Sequence, residues 1–185
     1  MYGGFNLIDT IMLPWLDAYD DGNNITLYVC YNKYSCLDNG DILHSKDTKV
    51  TPFVTITGGD LTGNDNYTYM LLDVDEYTPE KPIAKTSLHW LVRDIQGSIK
   101  SYEHIADNGR VVVPYTRAHK PYYFANSDIG IHHYYNLVFR QGEAEQAVDD
   151  ITLFERFDVR EFATKYKLGY PVTGLVHKVN YTKDN

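Results

Sequence analysis

The chain of 185 residues is poor in cysteine, with two, and has two tryptophans and seven prolines. Cys30 and Cys36 make neither the disulfide framework of a small secreted domain nor the paired spacing of a zinc site. They read as two reduced thiols, one of them in a strand, with a local bridge as the alternative. No run of eighteen apolar residues occurs, so no transmembrane segment is expected. The first twenty residues carry neither a basic n-region nor a clean apolar h-region. No signal peptide is therefore read, and a cytoplasmic location is expected, with a mitochondrial or secreted one after processing as the alternative. Basic residues form no block, and 17 Lys and Arg stand against 25 Asp and Glu for a net charge of −8. Affinity for nucleic acid comes from phosphate neutralisation by a positive surface, so no direct nucleic-acid contact is expected. No repeat, low-complexity tract or linker divides the chain, which reads as a single domain over residues 1–185.

What the chain has in excess is tyrosine, 17 against 7 Phe. Aromatic and β-branched richness favours strands. Residues 1–22 hold Leu7, Ile8, Ile11, Met12, Trp15 and Leu16 at helical spacing, interrupted by Pro14, and read as an N-terminal arm or short helix. Ile25, Leu27, Val29 and Tyr31 alternate as one half-buried strand. Further strands are expected over Val54 to Thr57, Asn66 to Asp75, Leu88 to Val92, Arg110 to Pro114, Ile131 to Arg140 and Val172 to Val179. Between the last two, residues 158–168 switch to helical spacing, with Asp158 to cap the helix and Gly169 to end it. Strands dominate, and an antiparallel β-sandwich with peripheral helices follows. Three sequons begin at Asn24, Asn66 and Asn180, a weak signal in a chain so rich in Asn and Thr.

Three strand stretches carry polar groups among apolar neighbours. In Leu71-Leu72-Asp73-Val74-Asp75 the i, i+2 spacing puts both carboxylates on one face, and buried carboxylates need partners. His89 stands alone among Leu88, Trp90, Leu91 and Val92. In Gly130-Ile131-His132-His133-Tyr134-Tyr135, alternation sends His132 and Tyr134 to one face and His133 and Tyr135 to the other. Asp73, His89, His132 and Tyr134 can thus converge, and a carboxylate beside imidazoles favours their charged form. Such a cluster suits an anion. Zinc through His89, His132 and Asp73 has no His-x-x-x-His spacing behind it. No Gly-x-Ser-x-Gly elbow and no phosphate loop is present, so no enzyme and no cofactor are expected.

At these residues the chain resembles the phosphatidylethanolamine-binding protein family, which includes the Raf kinase inhibitor protein and the plant florigens. Tyr69 to Asp75 is similar to the family's strand ending in Asp-Pro-Asp. Leu88 to Ile95 is similar to its plant-type His-Trp strand. Gly130 to Tyr134, with Phe139-Arg140-Gln141, is similar to its Gly-x-His-Arg strand, and Phe157 to Val172 to its C-terminal helix and following strand. The resemblance implies a large antiparallel sheet on a smaller one, mainly β, with helices at the edge. It implies a small anion pocket formed by Asp73, His89, His132 and Tyr134, open to a phosphate-bearing small molecule or phospholipid head group. It also implies action through protein partners rather than catalysis.

The departures fall at the rim. Both prolines of the family's Asp-Pro-Asp-x-Pro are gone from Asp73-Val74-Asp75-Glu76-Tyr77, and the family's Arg is His133, which leaves Asp75 in need of another partner. Pro121, Tyr122 and Tyr123 stand where the family carries a proline-rich loop, and Glu76 adds negative charge at the mouth. Asp75, Glu76, Tyr77, Pro121, Tyr122 and Tyr123 are therefore the expected rim. The expected function is a non-catalytic binding protein with an altered rim, whose affinity for anions falls as pH rises through a raised histidine pKa. The alternatives are a structural subunit of a larger assembly, such as the mitochondrial ribosome's large subunit, with a decayed pocket, and a protease or kinase inhibitor.

Overall fold

The computed structural model describes residues 25–58, 65–75, 86–97, 100, 102–119, 130–141, 151, 154 and 157–181. The N-terminal arm, the sequon asparagine Asn24 and the rim residues Glu76, Tyr77, Pro121, Tyr122 and Tyr123 lie outside them. The described chain is mainly β. Strands β1 (Ile25–Cys30) and β3 (Phe53–Gly58) form a two-stranded antiparallel sheet. The other six form the large sheet in the order β2-β8-β7-β4-β5-β6. They are β2 (Ile42–His44), β4 (Asn66–Asp73), β5 (Ser87–Gln96), β6 (Arg110–Val113), β7 (Ile131–Gln141) and β8 (Pro171–Asn180). All neighbours there are antiparallel except β2 with β8.

Period-2 alternation explains how the central strands serve two cores. On β4, Tyr67, Tyr69 and Leu71 join a cluster with Val29, Val54 and Ile56 of the small sheet. Met70 and Leu72 face the other way, with Leu91, Tyr135 and Phe139, under helix α2 (Val159–Lys165). The large sheet is therefore the middle of three layers, apolar on both faces. Asp158 caps α2 by accepting from the Glu161 N–H at 3.0 Å, and Phe162 and Tyr166 press its inner face onto the sheet. The Arg93 guanidinium of β5 lies 4.8 Å from the Tyr166 ring centroid, a cation–π contact that ties α2 to β5. Short elements that alternation does not reveal complete the frame: β2, a 3₁₀ turn at Ser45–Thr48 and helix α1 (Ile105–Asn108).

The two cysteines are not reduced thiols: Cys30 and Cys36 form a disulfide. The chain doubles back after β1, where the Asn32 side chain accepts from the backbone N–H groups of Tyr34 and Ser35, each at 2.9 Å. The Leu37 N–H then reaches the Val29 carbonyl at 2.8 Å, which brings Cys36 beside Cys30. Spacing alone did not expose this local turn. Among the described residues, no helix is long and apolar enough to cross a membrane.

Candidate functional site

Asp73 ends β4, and Tyr134 of β7 sits opposite it in register. Two residues earlier on β7, and on the same face as Tyr134, is His132. Its Nδ1 lies 2.7 Å from Asp73 Oδ2. A carboxylate can only accept here, so Nδ1 carries the proton. The Tyr134 and Tyr181 hydroxyls hydrogen-bond to each other, and the His132 and Tyr181 rings meet edge to face at 4.9 Å. Tyr181 follows β8, placed there by its N–H bond to the Gly130 carbonyl at 3.0 Å. Burial, and then the Asp73 charge, push the Tyr134 phenol well above its ordinary range.

His89 reaches the same place through a bulge. Leu71 pairs with Trp90 and Leu72 with Leu88, so His89 is the extra residue on β5. A bulge re-aims a side chain. The His89 ring here lies 5.1 Å from Tyr134, edge to face. The Thr116 carbonyl accepts from His89 Nδ1 at 3.0 Å, so Nδ1 holds the proton and Nε2 is the nitrogen left to meet a ligand. Thr116 leads to His119, whose ring lies 5.7 Å from His89. Asp73, His89, His132 and Tyr134 are thus brought together, at 2%, 4%, 3% and 1% exposure.

Two expectations need correction. Asp73 and Asp75 do not share a face. The strand stops at Asp73, whose Oδ1 accepts the Asp75 N–H at 2.9 Å, and the turn carries Asp75 to His133. The Asp75 carboxylate takes the His133 backbone N–H at 2.7 Å and Nδ1 at 2.5 Å. His133 thereby supplies the partner that the replaced Arg would have been. Burial pushes the Asp75 carboxyl up, but these His133 hydrogen bonds and charge outweigh it and hold the group below the usual range. The second correction concerns His89. Burial lowers its pKa and outweighs the opposing pull of Asp73, so the ring rests neutral.

Sequence reasoning missed Tyr181, Thr116 and His177 as neighbours of the site. His177 of β8 is fully buried, stacks on Tyr134 at 5.5 Å and meets Tyr31 edge-on at 5.7 Å. Asn136 fixes its tautomer. The Asn136 amide accepts from Tyr69 Oη at 2.7 Å and donates from Nδ2 to the Leu175 carbonyl at 3.1 Å and to His177 Nδ1 at 3.0 Å. The His177 proton is therefore on Nε2, which has no hydrogen-bond partner among the described residues. The alternation of β8 with apolar neighbours was the signal available for His177; Tyr181 lay beyond the expected strand end.

A large sheet with an acid–histidine–tyrosine cluster at one end, packed between a small sheet and helix α2, has the layering of the phosphatidylethanolamine-binding protein fold. The family model for phosphatidylethanolamine-binding protein matches residues 16–177, and the chain belongs to that family. Protein TERMINAL FLOWER 1 of Arabidopsis thaliana is 33% identical over 147 residues, covering 80% of this chain and 75% of the relative. Protein FLOWERING LOCUS T of the same plant is 32% identical over 162 residues, covering 87% and 83%. Among solved structures, carboxypeptidase Y inhibitor complexed with its cognate proteinase superposes with a TM-score of 0.68 at 14% identity, covering 86% of this chain and 85% of that one. A phosphatidylethanolamine-binding protein from Plasmodium falciparum gives 0.61 at 14% identity, covering 95% of both.

Proposed function

We propose that the chain is a non-catalytic binding protein that takes a small anionic group, a phosphate or a phospholipid head group, among Asp73, His89, His132 and Tyr134, and acts through a protein partner. The observation that carries this reading is the buried Asp73–His132 pair at 2.7 Å beside His89, whose Nδ1 is already committed to Thr116. Asp73 holds the proton of His132 on Nδ1, which turns Nε2 away from the carboxylate. The cluster holds no serine or cysteine, and the two cysteines are bonded to each other.

Neutral His89 presents Nε2 as an acceptor, so it can donate to an anion only after taking up a proton. Burial lowers its pKa, and a bound anion raises it. Binding is therefore coupled to proton uptake, and affinity rises on acidification. Where one proton is taken up, affinity changes by about tenfold per pH unit. Calorimetric titration with phosphoethanolamine at about pH 5.5, 6.5 and 8, in buffers of different ionisation enthalpy, tests this. The expected result is tighter binding at the acid end with net proton uptake. Equal affinity across the range, or no millimolar binding at any pH, would refute it.

A further inference from the structure

On the opposite side of the large sheet, Arg160, Ala163 and Thr164 of α2 stand at i, i+3 and i+4 on one face, and Lys167 lies just past the helix end. With Gly169 and Tyr170 they line a groove of about 470 Å³. That volume lies in the range of small-molecule sites, about 300–1,000 Å³. Among the described residues that line it, two are cations and none is acidic, in a chain of net charge −8. Ala163 and Thr164 keep the floor between the cations low, and Tyr170, 57% exposed, supplies an aromatic wall.

The backbone adds a second observation. The Leu168 N–H reaches the Ala163 carbonyl at 2.8 Å and the Lys167 N–H reaches Thr164 at 3.2 Å. This is the Schellman pattern, and its left-handed residue is Lys167, with φ 53°. Glycine is the usual occupant of that position because a Cβ is penalised there. A lysine is held in a conformation that disfavours it, and it lines the same groove as Arg160. Strain of this kind gathers at functional positions.

We propose that this groove is a second ligand site, for a phosphate monoester carried on a planar ring. The phosphate sits between Arg160 and Lys167, with charge-assisted hydrogen bonds from both, and the ring lies over Ala163 against Tyr170. Nucleotides and phosphotyrosine share this chemistry.

Amide-resolved NMR titration of the whole chain tests it, with adenosine monophosphate and O-phosphotyrosine as the two probes and adenosine and inorganic phosphate as partial ones. At least one full probe is expected to shift Arg160, Thr164, Lys167 and Tyr170 saturably, and which one does so identifies the source. Each partial probe is expected to bind about tenfold or more weakly. Lys167→Gly relieves the backbone, so its melting temperature is expected to hold or rise while affinity falls about tenfold or more. Lys167→Gln, which keeps the lysine's reach without the charge, is expected to lose the same affinity. Full-strength binding by either variant overturns the proposal. So does the absence of saturable shifts at these four residues, including the case where the probes shift only Thr116, His119 and His132.

Discussion

Acidification should unfold this protein through His177. The side chain is fully buried, and burial, followed by repulsion from His89, lowers its pKa from 6.5 to about 3. In the unfolded chain the same ring titrates near 6.5. Between those two values the unfolded state holds a proton that the folded state lacks. Stability is therefore intact above pH 6.5 and declines as pH falls, at about 1.4 kcal/mol per pH unit. The loss from this residue is about 2 kcal/mol at pH 5 and about 4 kcal/mol at pH 3. His89, also lowered by burial, adds to the decline with the same sign. Asp75, held below its usual range, adds its own loss only under about pH 4, where its carboxylate protonates in the unfolded chain. A window from about pH 5 to 7.5 therefore isolates the histidines. The perturbation is His177→Phe, which preserves the ring stacked on Tyr134 and removes the titration. It also strands the Asn136 N–H now donated at 3.0 Å, lowering stability at every pH by about 1–3 kcal/mol. The informative quantity is consequently the slope rather than the level. Urea unfolding followed by circular dichroism across that window gives stability against pH for both proteins. The variant's curve is expected to be flatter by about 1.4 kcal/mol per pH unit below pH 6. Parallel curves would refute the reasoning.

Three further predictions follow from single contacts. Asp73→Ala and His132→Ala each break a buried pair, and each is expected to lower stability by about 3–5 kcal/mol. The double variant should lose distinctly less than the sum, as a double-mutant cycle in urea would show. Gly109→Ala places a Cβ 2.8 Å from both the Arg93 carbonyl oxygen and Ile95 Cγ1, and 2.9 Å from Val92 Cγ1. The overcrowding is expected to cost about 1–3 kcal/mol, visible as a lowered melting temperature. Cys36→Ser opens the short Cys30–Cys36 loop, and a chain-entropy estimate for so small a loop gives a loss of about 2 kcal/mol. A reducing agent should lower the unfolding midpoint of the parent by a similar amount and leave that of the variant unchanged.

The strands were legible because alternation is a strong signal wherever one face is buried. Ile25, Leu27 and Val29 point inward from β1 while Thr26 and Tyr28 face outward, as their spacing predicts. The β4 and β7 strands were legible for another reason: residues such as Met70, Leu72, Tyr135 and Leu137 are apolar on the face that α2 covers. Short elements left no period to read. Ile42–His44 has three residues and owes its place to pairing with β8, and α1 has four. The Cys30–Cys36 bridge depends on an Asn32 turn whose geometry is a matter of side-chain-to-backbone hydrogen bonds.

The convergence of Asp73, His89, His132 and Tyr134 was legible in the sequence but its wiring was not, and the wiring decides the protonation of the cluster. Alternation brought His132 and Tyr134 to one face, but strict alternation sets His89 against Trp90 on opposite faces, and only the bulge between Leu88 and Trp90 brings His89 to Tyr134. A register shift arises from the pairing of two strands and leaves no mark in either one alone. The same holds for charge. A carboxylate beside histidines predicts raised imidazole pKa values, and that prediction omits desolvation, which depends on the layers above and below. Asp73 spends one oxygen on His132 and the other on the Asp75 N–H, while His89 is enclosed against Tyr134 with its Nδ1 proton on the Thr116 carbonyl. Burial therefore governs His89, and it rests without charge. The two imidazoles are therefore wired differently, His132 giving its Nδ1 proton to Asp73 and His89 giving its own to the Thr116 carbonyl.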